Sequence, residues 1–122
     1  MKNIAFLGTS HIHTPNFISK VISNNQINCI GVWDKDQNRS KSDSEKLQCK
    51  NYDNYLDLLK EPNLDGVIVC SETNLHYELV KKITENKKHC FIEKPLGIGK
   101  KDSFEMANLI ESSNIIFQTG YF

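Results

Sequence analysis

The fold is decided by residues 4–13, which read Ile-Ala-Phe-Leu-Gly-Thr-Ser-His-Ile-His. A short apolar run that ends at a glycine is typical of a strand buried on both faces of a parallel sheet. Thr14 suits the N-cap and Pro15 the first position of a helix, and apolar residues at helical spacing follow. The segment therefore predicts a strand, a loop and a helix whose free N–H groups and positive dipole end point towards a phosphate.

The rest of the chain repeats this alternation. We expect further strands at 27–33, near 49–52, at 67–70, at 89–92 and from 115, with helices within 35–47, before Pro62, at 74–86 and after Gly99. Right-handed crossovers then give an α/β fold, a three-layer, doubly wound parallel sheet of the Rossmann type with about six strands in the order 3-2-1-4-5-6. A flavodoxin-like receiver is the nearest alternative, but its early strands should end on a carboxylate, whereas the first strand here ends in Leu7-Gly8.

Size and charge restrict the class of protein. The 122 residues predict one domain over 1–122. Fifteen basic and fifteen acidic residues give no net charge that would recruit nucleic acid or an anionic membrane. No apolar run approaches the roughly 18 residues of a membrane helix, and the N-terminal run is too short for a signal peptide. We expect a soluble cytoplasmic protein that binds neither nucleic acid nor a membrane.

The cysteines and paired histidines do not predict a metal site. Cys29, Cys49, Cys70 and Cys90 follow one another at separations of 20, 21 and 20 residues, without a Cys-x-x-Cys pair. This spacing fits one small apolar residue in each of four successive strands, although chance would also explain it, and a disulfide framework is not expected. His11 and His13 lack a nearby acidic or cysteine partner, so we predict no metal.

The loop after the first strand is a degenerate form of the Gly-x-Gly-x-x-Gly fingerprint. Gly8 fills the first position, whereas Ser10 and His13 occupy the second and third. Ser10 still offers its N–H and adds a hydroxyl. The candidate cofactor-binding residues of this loop are Gly8, Thr9, Ser10, His11 and His13.

Asp34 supplies a second indication of dinucleotide binding. It ends the second predicted strand, where a carboxylate accepts hydrogen bonds from an adenosine ribose and repels a 2′-phosphate. This favours NAD as the cofactor, while Lys35 and Arg39 nearby keep NADP open. The alternative is an ordinary turn aspartate.

Three later segments resemble one family. They are residues 65–76 (Asp-Gly-Val-Ile-Val-Cys-Ser-Glu-Thr-Asn-Leu-His), residues 88–96 (Lys-His-Cys-Phe-Ile-Glu-Lys-Pro-Leu) and residues 118–121 (Gln-Thr-Gly-Tyr). The whole chain resembles the N-terminal NAD(P)-binding Rossmann domain of the Gfo/Idh/MocA oxidoreductases, and Glu93-Lys94-Pro95 is the most specific signal. In this family the first segment carries a Thr-Pro-x-x-x-His loop.

The resemblance implies roles for residues in these segments. Lys94 would be catalytic, near the nicotinamide and the substrate hydroxyl, because an ammonium group there orients the hydroxyl and stabilises developing negative charge. Glu93 would hold that lysine, and a cis Lys94-Pro95 bond would fix the loop. An ordinary exposed lysine before a turn proline is the alternative for Lys94.

The loop at 71–76 adds further implied cofactor contacts, which are Ser71, Thr73 and His76. Ser71 would touch the pyrophosphate or ribose, and His76 would hydrogen-bond the loop or border the nicotinamide. A structural cap is the alternative for both. Glu72 departs from the family pattern, because it stands where proline is usual and adds a negative charge beside the cofactor groove.

The resemblance implies the nucleotide-binding domain of an NAD(P)-dependent oxidoreductase that transfers hydride to or from a sugar, polyol or related hydroxy compound. The family's second domain, which supplies substrate contacts, has no counterpart here, so we expect little or no turnover and no carry-over of the family's oligomer. The alternative is a non-catalytic nucleotide- or partner-binding module with the same fold, which the substitutions at Ser10, His13 and Glu72 favour.

Overall fold

The computed structural model describes residues 1–93 and 99–120 of the chain. Strands and helices alternate throughout this part, as the spacing of apolar residues predicts. The elements are β1 (Lys2–Leu7), α1 (Thr14–Ser23), β2 (Ile27–Trp33), α2 (Gln37–Leu47), β3 (Lys50–Asn51), α3 (Tyr55–Leu59), β4 (Gly66–Val69), a 3₁₀ turn (Thr73–Leu75), α4 (His76–Glu85), β5 (His89–Glu93), α5 (Gly99–Ser113) and β6 (Phe117–Gly120).

The strands form one sheet in the order β3-β2-β1-β4-β5-β6, and every neighbouring pair is parallel. The predicted strand order is confirmed. The chain proceeds from β1 to one edge and then returns to the other side of β1. The order therefore reverses between β1 and β4, which is where ligands bind in open α/β sheets.

Helices cover the sheet on both faces and make it the middle of three layers. Successive side chains of β1 point to opposite faces, so Phe6 and Leu7 enter different cores. Phe6 packs with Ile18 of α1 in one core, while Leu7 belongs to the other core with Leu79 of α4 and Met106 of α5. Complete burial of each such side chain stabilises the fold by about 1.5–3 kcal/mol.

Several element ends differ from the predicted ones by one to three residues. β4 is Gly66–Val69, so Cys70 follows the strand, and β3 is reduced to Lys50–Asn51 at the sheet edge. The helix expected at 74–86 begins at His76 because a 3₁₀ turn comes first. β6 begins at Phe117 rather than at 115, and the Ile116 N–H donates to the His89 side chain rather than to a backbone carbonyl of β5.

The predicted start of α1 is wrong by one residue. His13 is the N-cap and Thr14 is already helical, so Pro15 comes second rather than first. The turn at His11 causes this shift, because the Thr14 N–H donates to the His11 carbonyl at 3.0 Å. The Thr14 hydroxyl is buried and has no hydrogen-bond partner within the described part of the chain, so it does not act as a cap.

The spacing predicts one cysteine in each of four successive strands, but only two of the four lie within a strand, and the other two lie directly beside one. Cys29 is in β2, Cys49 precedes β3, Cys70 follows β4 and Cys90 is in β5, and all four are free thiols. The Sγ atoms of Cys29 and Cys49 lie 3.7 Å apart, and the hydrogen bond from Cys49 lowers the pKa of the Cys29 thiol. Burial raises the pKa of Cys90 to about 12.

Candidate functional site at the carboxyl ends of the strands

The register of the sheet brings the ends of four strands to one level. Leu7 of β1 is paired with Trp33 of β2 and with Val69 of β4, and Val69 is in turn paired with Ile92 of β5. The residue after each of these lies one level further along. That level is occupied by Gly8, Asp34, Cys70 and Glu93.

Gly8 allows the β1 and β4 loops to touch. Its φ is +85°, and a Cβ atom built on it would lie 2.6 Å from the Cα of Ser71. The Gly8 N–H donates to the Trp33 carbonyl at 2.6 Å, and its own carbonyl accepts from the Cys70 N–H at 3.2 Å. Glycine is required here both for the backbone conformation and for the absence of a side chain.

The Asp34 carboxylate anchors the loop that follows β1. One oxygen, Oδ1, accepts from the Thr9 N–H at 2.7 Å, while Oδ2 accepts from the Asp36 N–H at 2.8 Å. Nη1 of Arg39 donates to the same Oδ2 at 3.1 Å. These donors leave the Asp34 side chain only 1% exposed. Two of the three donors are backbone N–H groups, and the third belongs to the Arg39 side chain. A rotation of the Arg39 side chain would therefore expose Oδ2 of Asp34.

Arg39 spans the loop from the β2 side to the β4 side. Its Nη1 lies 3.1 Å from Asp34 and 3.6 Å from the Glu72 carboxylate, and its Nη2 lies 3.9 Å from Asp36. The Arg39 and Glu72 side chains are 39% and 44% exposed. The sequence identified Arg39 only as a neighbouring cation. The signal for its contact with Asp34 was an arginine five residues after the carboxylate that follows β2.

The rest of the glycine-poor loop is held by its own polar groups. The His11 N–H donates to the Cys70 carbonyl at 2.9 Å, and the Ser10 hydroxyl lies 3.5 Å from that carbonyl. The rings of His11 and His13 are stacked with centroids 5.1 Å apart, and the His13 N–H donates to His11 Nδ1. Within residues 1–93 and 99–120 no group of three His, Cys, Asp or Glu side chains is arranged to hold a metal ion.

At the start of α1, several of the N–H groups that the sequence predicts to face a phosphate are already hydrogen-bonded within the protein. Thr14 donates to the His11 carbonyl, and Asn16 and Phe17 donate to the His13 carbonyl. Pro15 has no N–H to offer. The helix dipole still points at the loop, but in this structure those donors are engaged within the loop and the first turn.

His76 contacts the loop after β4. Its Nε2 lies 3.2 Å from the carbonyl oxygen of Ser71, and because a carbonyl only accepts, the ring donates this hydrogen bond. His76 is 1% exposed and Ser71 is also buried, with the Ser71 hydroxyl donating to the Glu72 carbonyl at 3.2 Å. This hydrogen bond joins the start of α4 to the loop after β4.

The remaining predicted residues are described only in part. Lys94, the implied catalytic residue, and Pro95 lie outside the described residues. Glu93 ends β5, and Thr73 opens the 3₁₀ turn, with only their backbones described. Gly8, Thr9, Asp34 and Ser71 are thus brought together, and Glu93 is the last residue of β5, the strand next to β4.

None of the helices in the described ranges combines the length and apolar character needed to cross a membrane.

The parallel sheet, the strand reversal beside β1 and the carboxylate at the end of β2 define a Rossmann domain of the dinucleotide-binding type. A family model described as an oxidoreductase family with an NAD-binding Rossmann fold matches residues 2–121. The chain belongs to this family, the Gfo/Idh/MocA oxidoreductases. The resemblance drawn from the three sequence segments is confirmed.

Individual relatives agree with this assignment. The chain is 34% identical over 116 residues to myo-inositol 2-dehydrogenase of Thermotoga maritima. It is 31% identical over 98 residues to 2,7-anhydro-N-acetylneuraminate hydratase of Escherichia coli, covering 80% of this chain and 25% of that relative. The crystal structure of a probable dehydrogenase from Thermotoga maritima superimposes with a TM-score of 0.88 at 31% identity, covering 97% of this chain and 35% of that one.

The chain spans about a third of the length of the curated relatives it matches. The alignment to myo-inositol 2-dehydrogenase covers 94% of this chain but 33% of that enzyme. The similarity therefore concerns the nucleotide-binding domain.

Proposed function

We propose that this chain is the dinucleotide-binding domain of an oxidoreductase that uses NAD and acts on a sugar or polyol. The observation that carries the proposal is the register of β1, β2 and β4, which puts Gly8, Asp34 and the Ser71 loop at one edge of the sheet. Myo-inositol 2-dehydrogenase, a relative whose alignment covers 94% of this chain, supports the substrate class.

The residues at this edge fit a dinucleotide. Gly8 carries no side chain where the β1 and β4 loops meet, so the Ser71 loop lies directly against the β1 loop at the edge where a diphosphate would bind. The Asp34 carboxylate would accept from the ribose hydroxyls, and a hydroxyl reaching Oδ2 takes the place of Arg39, because the other two donors belong to the backbone. Ser71 would contact the pyrophosphate or ribose.

When bound, a nicotinamide dinucleotide supplies the hydride-accepting or hydride-donating ring. The family resemblance assigns to Lys94 the orientation of the substrate hydroxyl and the stabilisation of its developing negative charge. His76 would act indirectly, because its hydrogen bond to the Ser71 carbonyl holds the loop that lines the proposed groove. Thr9, Ser10, His11, His13, Thr73 and Glu93 complete the proposed cofactor-binding set.

Calorimetry with NAD, NADP and ADP-ribose tests the proposal on wild type and on Asp34→Ala. We expect wild type to bind NAD and ADP-ribose, and Asp34→Ala to weaken NAD binding by about tenfold or more, since a hydrogen bond to a charged group contributes about 1.5–3 kcal/mol. NADP binding should weaken less, because the lost carboxylate also repels the 2′-phosphate.

Asp65→Ala is the matched control. Asp65 also anchors a backbone N–H through its carboxylate, that of Asn3 at 2.8 Å, but at the opposite end of β1. It should cost stability and leave NAD affinity unchanged. Equal weakening of NAD and NADP by Asp34→Ala would remove Asp34 from the ribose role.

A non-catalytic binding module remains the second candidate function. Ser10 and His13 in place of glycines, and N–H groups of the first helical turn already engaged by His11 and His13, favour it. If the folded wild-type chain binds none of the three nucleotides at millimolar concentration, this candidate replaces the first.

A further inference from the structure

Arg39 is shared by carboxylates that belong to different strands. Asp34 follows β2 and Glu72 follows β4, and β1 lies between those strands. Two strand spacings separate such positions by about 10 Å. The guanidinium bridges this gap, since one nitrogen lies 3.1 Å from Asp34 and 3.6 Å from Glu72. Arg39 therefore crosses the proposed groove at its ribose end.

The negative charges around the Arg39 guanidinium outnumber its single positive charge. Asp34, Glu72 and Asp36 all lie within 4 Å of it. An arginine near the end of β2 is the group that accommodates the 2′-phosphate of NADP in this fold. In this chain Arg39 would have to break its ion pair with at least one carboxylate in order to bind a 2′-phosphate. When a ribose hydroxyl takes its place on Asp34, Glu72 and Asp36 remain as its partners, with Glu72 the nearer of the two.

We propose that Glu72 is a specificity-determining residue that favours NAD over NADP by neutralising Arg39 from the β4 side of the groove. The proposal rests on the proposed function, because selectivity has meaning only if this edge binds a dinucleotide. Glu72 acts through Arg39 rather than through the reaction itself. An uncharged residue at position 72 would leave Arg39 with one carboxylate fewer to compete with a 2′-phosphate.

Glu72→Gln tests the proposal, because it removes the charge and keeps the size of the side chain. Calorimetry at low salt should show NADP affinity increased about fivefold and NAD affinity changed by less than about twofold, as expected for one charge removed near a dianion in a solvated groove. The difference should shrink at about 1 M salt, where the Debye length is about 3 Å.

Two further variants make the result specific. Glu45→Gln removes an equal charge from an exposed position on α2 that forms none of these ion pairs, and it should leave both affinities unchanged. Glu72→Gln made in an Arg39→Ala background should change the NAD-to-NADP ratio less than it does in wild type, because only direct repulsion of the phosphate remains.

The outcomes separate this inference from the proposed function. Wild-type binding of NAD with an unchanged ratio in Glu72→Gln overturns the role of Glu72 alone. An equal gain for NAD and NADP, or an undiminished effect in the Arg39→Ala background, also overturns selectivity through Arg39. Failure of wild type to bind either nucleotide overturns the proposed function and this inference together.

Discussion

At the scale of single residues, the site depends on close approach between backbones. Gly8 sits at φ +85° with the Ser71 backbone where its Cβ would be. A larger residue would push the β1 and β4 loops apart at the point where the strand order reverses. The same position therefore controls both stability and the shape of the proposed groove.

Gly8→Ala should lower the free energy of unfolding by about 2–6 kcal/mol. About 1–3 kcal/mol arises from a non-glycine residue at positive φ, and overpacking adds a similar amount. Urea unfolding followed by circular dichroism measures the change.

Gly66→Ala is the matched control for Gly8→Ala. A Cβ at Gly66 would meet the His89 carbonyl oxygen at 3.2 Å, and no positive φ is involved, so we expect a smaller loss of about 1 kcal/mol. Equal losses in the two variants would contradict the requirement for glycine at position 8.

Some residues of the candidate site could be predicted from the sequence and others could not. Gly8 and Asp34 could be placed because each ends a strand, and parallel strands end at one edge of the sheet. The contact of Arg39 with Glu72 could not be predicted, because it joins residues 33 positions apart through two long side chains. Such a pair depends on rotamers and on the strand order together, and neither is visible as a local pattern.

At the scale of elements, the start of α1 departs from the predicted capping. Thr14 lies inside the first turn, and its hydroxyl is buried without a hydrogen-bond partner in the residues that the structure covers. The Thr84 hydroxyl in α4, by contrast, donates to the Lys81 carbonyl at 2.9 Å. The two threonines therefore provide a matched comparison within helices.

Thr14→Val should raise the free energy of unfolding by about 1 kcal/mol, because it replaces an unsatisfied buried hydroxyl with a methyl group of the same size. Thr84→Val should lower it by about 1 kcal/mol, because it removes a formed hydrogen bond. Thermal and urea unfolding of both variants measure the difference. A loss at Thr14 as large as that at Thr84 would mean that the Thr14 hydroxyl is hydrogen-bonded in solution.

Element types were predictable and element ends were not. The apolar spacing of α4 and the β-branched run of β4 identify both elements from sequence. The 3₁₀ turn at Thr73–Leu75 and the turn before α1 depend on hydrogen bonds to neighbouring loops, such as that from the His11 N–H to the Cys70 carbonyl. Those hydrogen-bond partners are distant in sequence, so the ends of these elements could not be predicted from local patterns.

At the scale of the whole molecule, the sheet order places the reversal beside β1, and such a reversal is where ligands bind in open α/β sheets. The order could be predicted because alternating strands and helices with right-handed crossovers leave few topologies. The family assignment agrees with it. The relatives extend well beyond the span matched here, since the alignment covers 33% of myo-inositol 2-dehydrogenase.

The central claim is that a dinucleotide binds where β1, β2 and β4 end. Amide chemical-shift changes in two-dimensional NMR during titration with ADP-ribose test it most directly. We expect the largest changes at residues 8–11, 34–39 and 71–72, with Asn3 and Gly66 at the opposite end of the sheet unchanged. Changes centred on Asn3 and Gly66, or none at millimolar ADP-ribose in the folded protein, would contradict the claim.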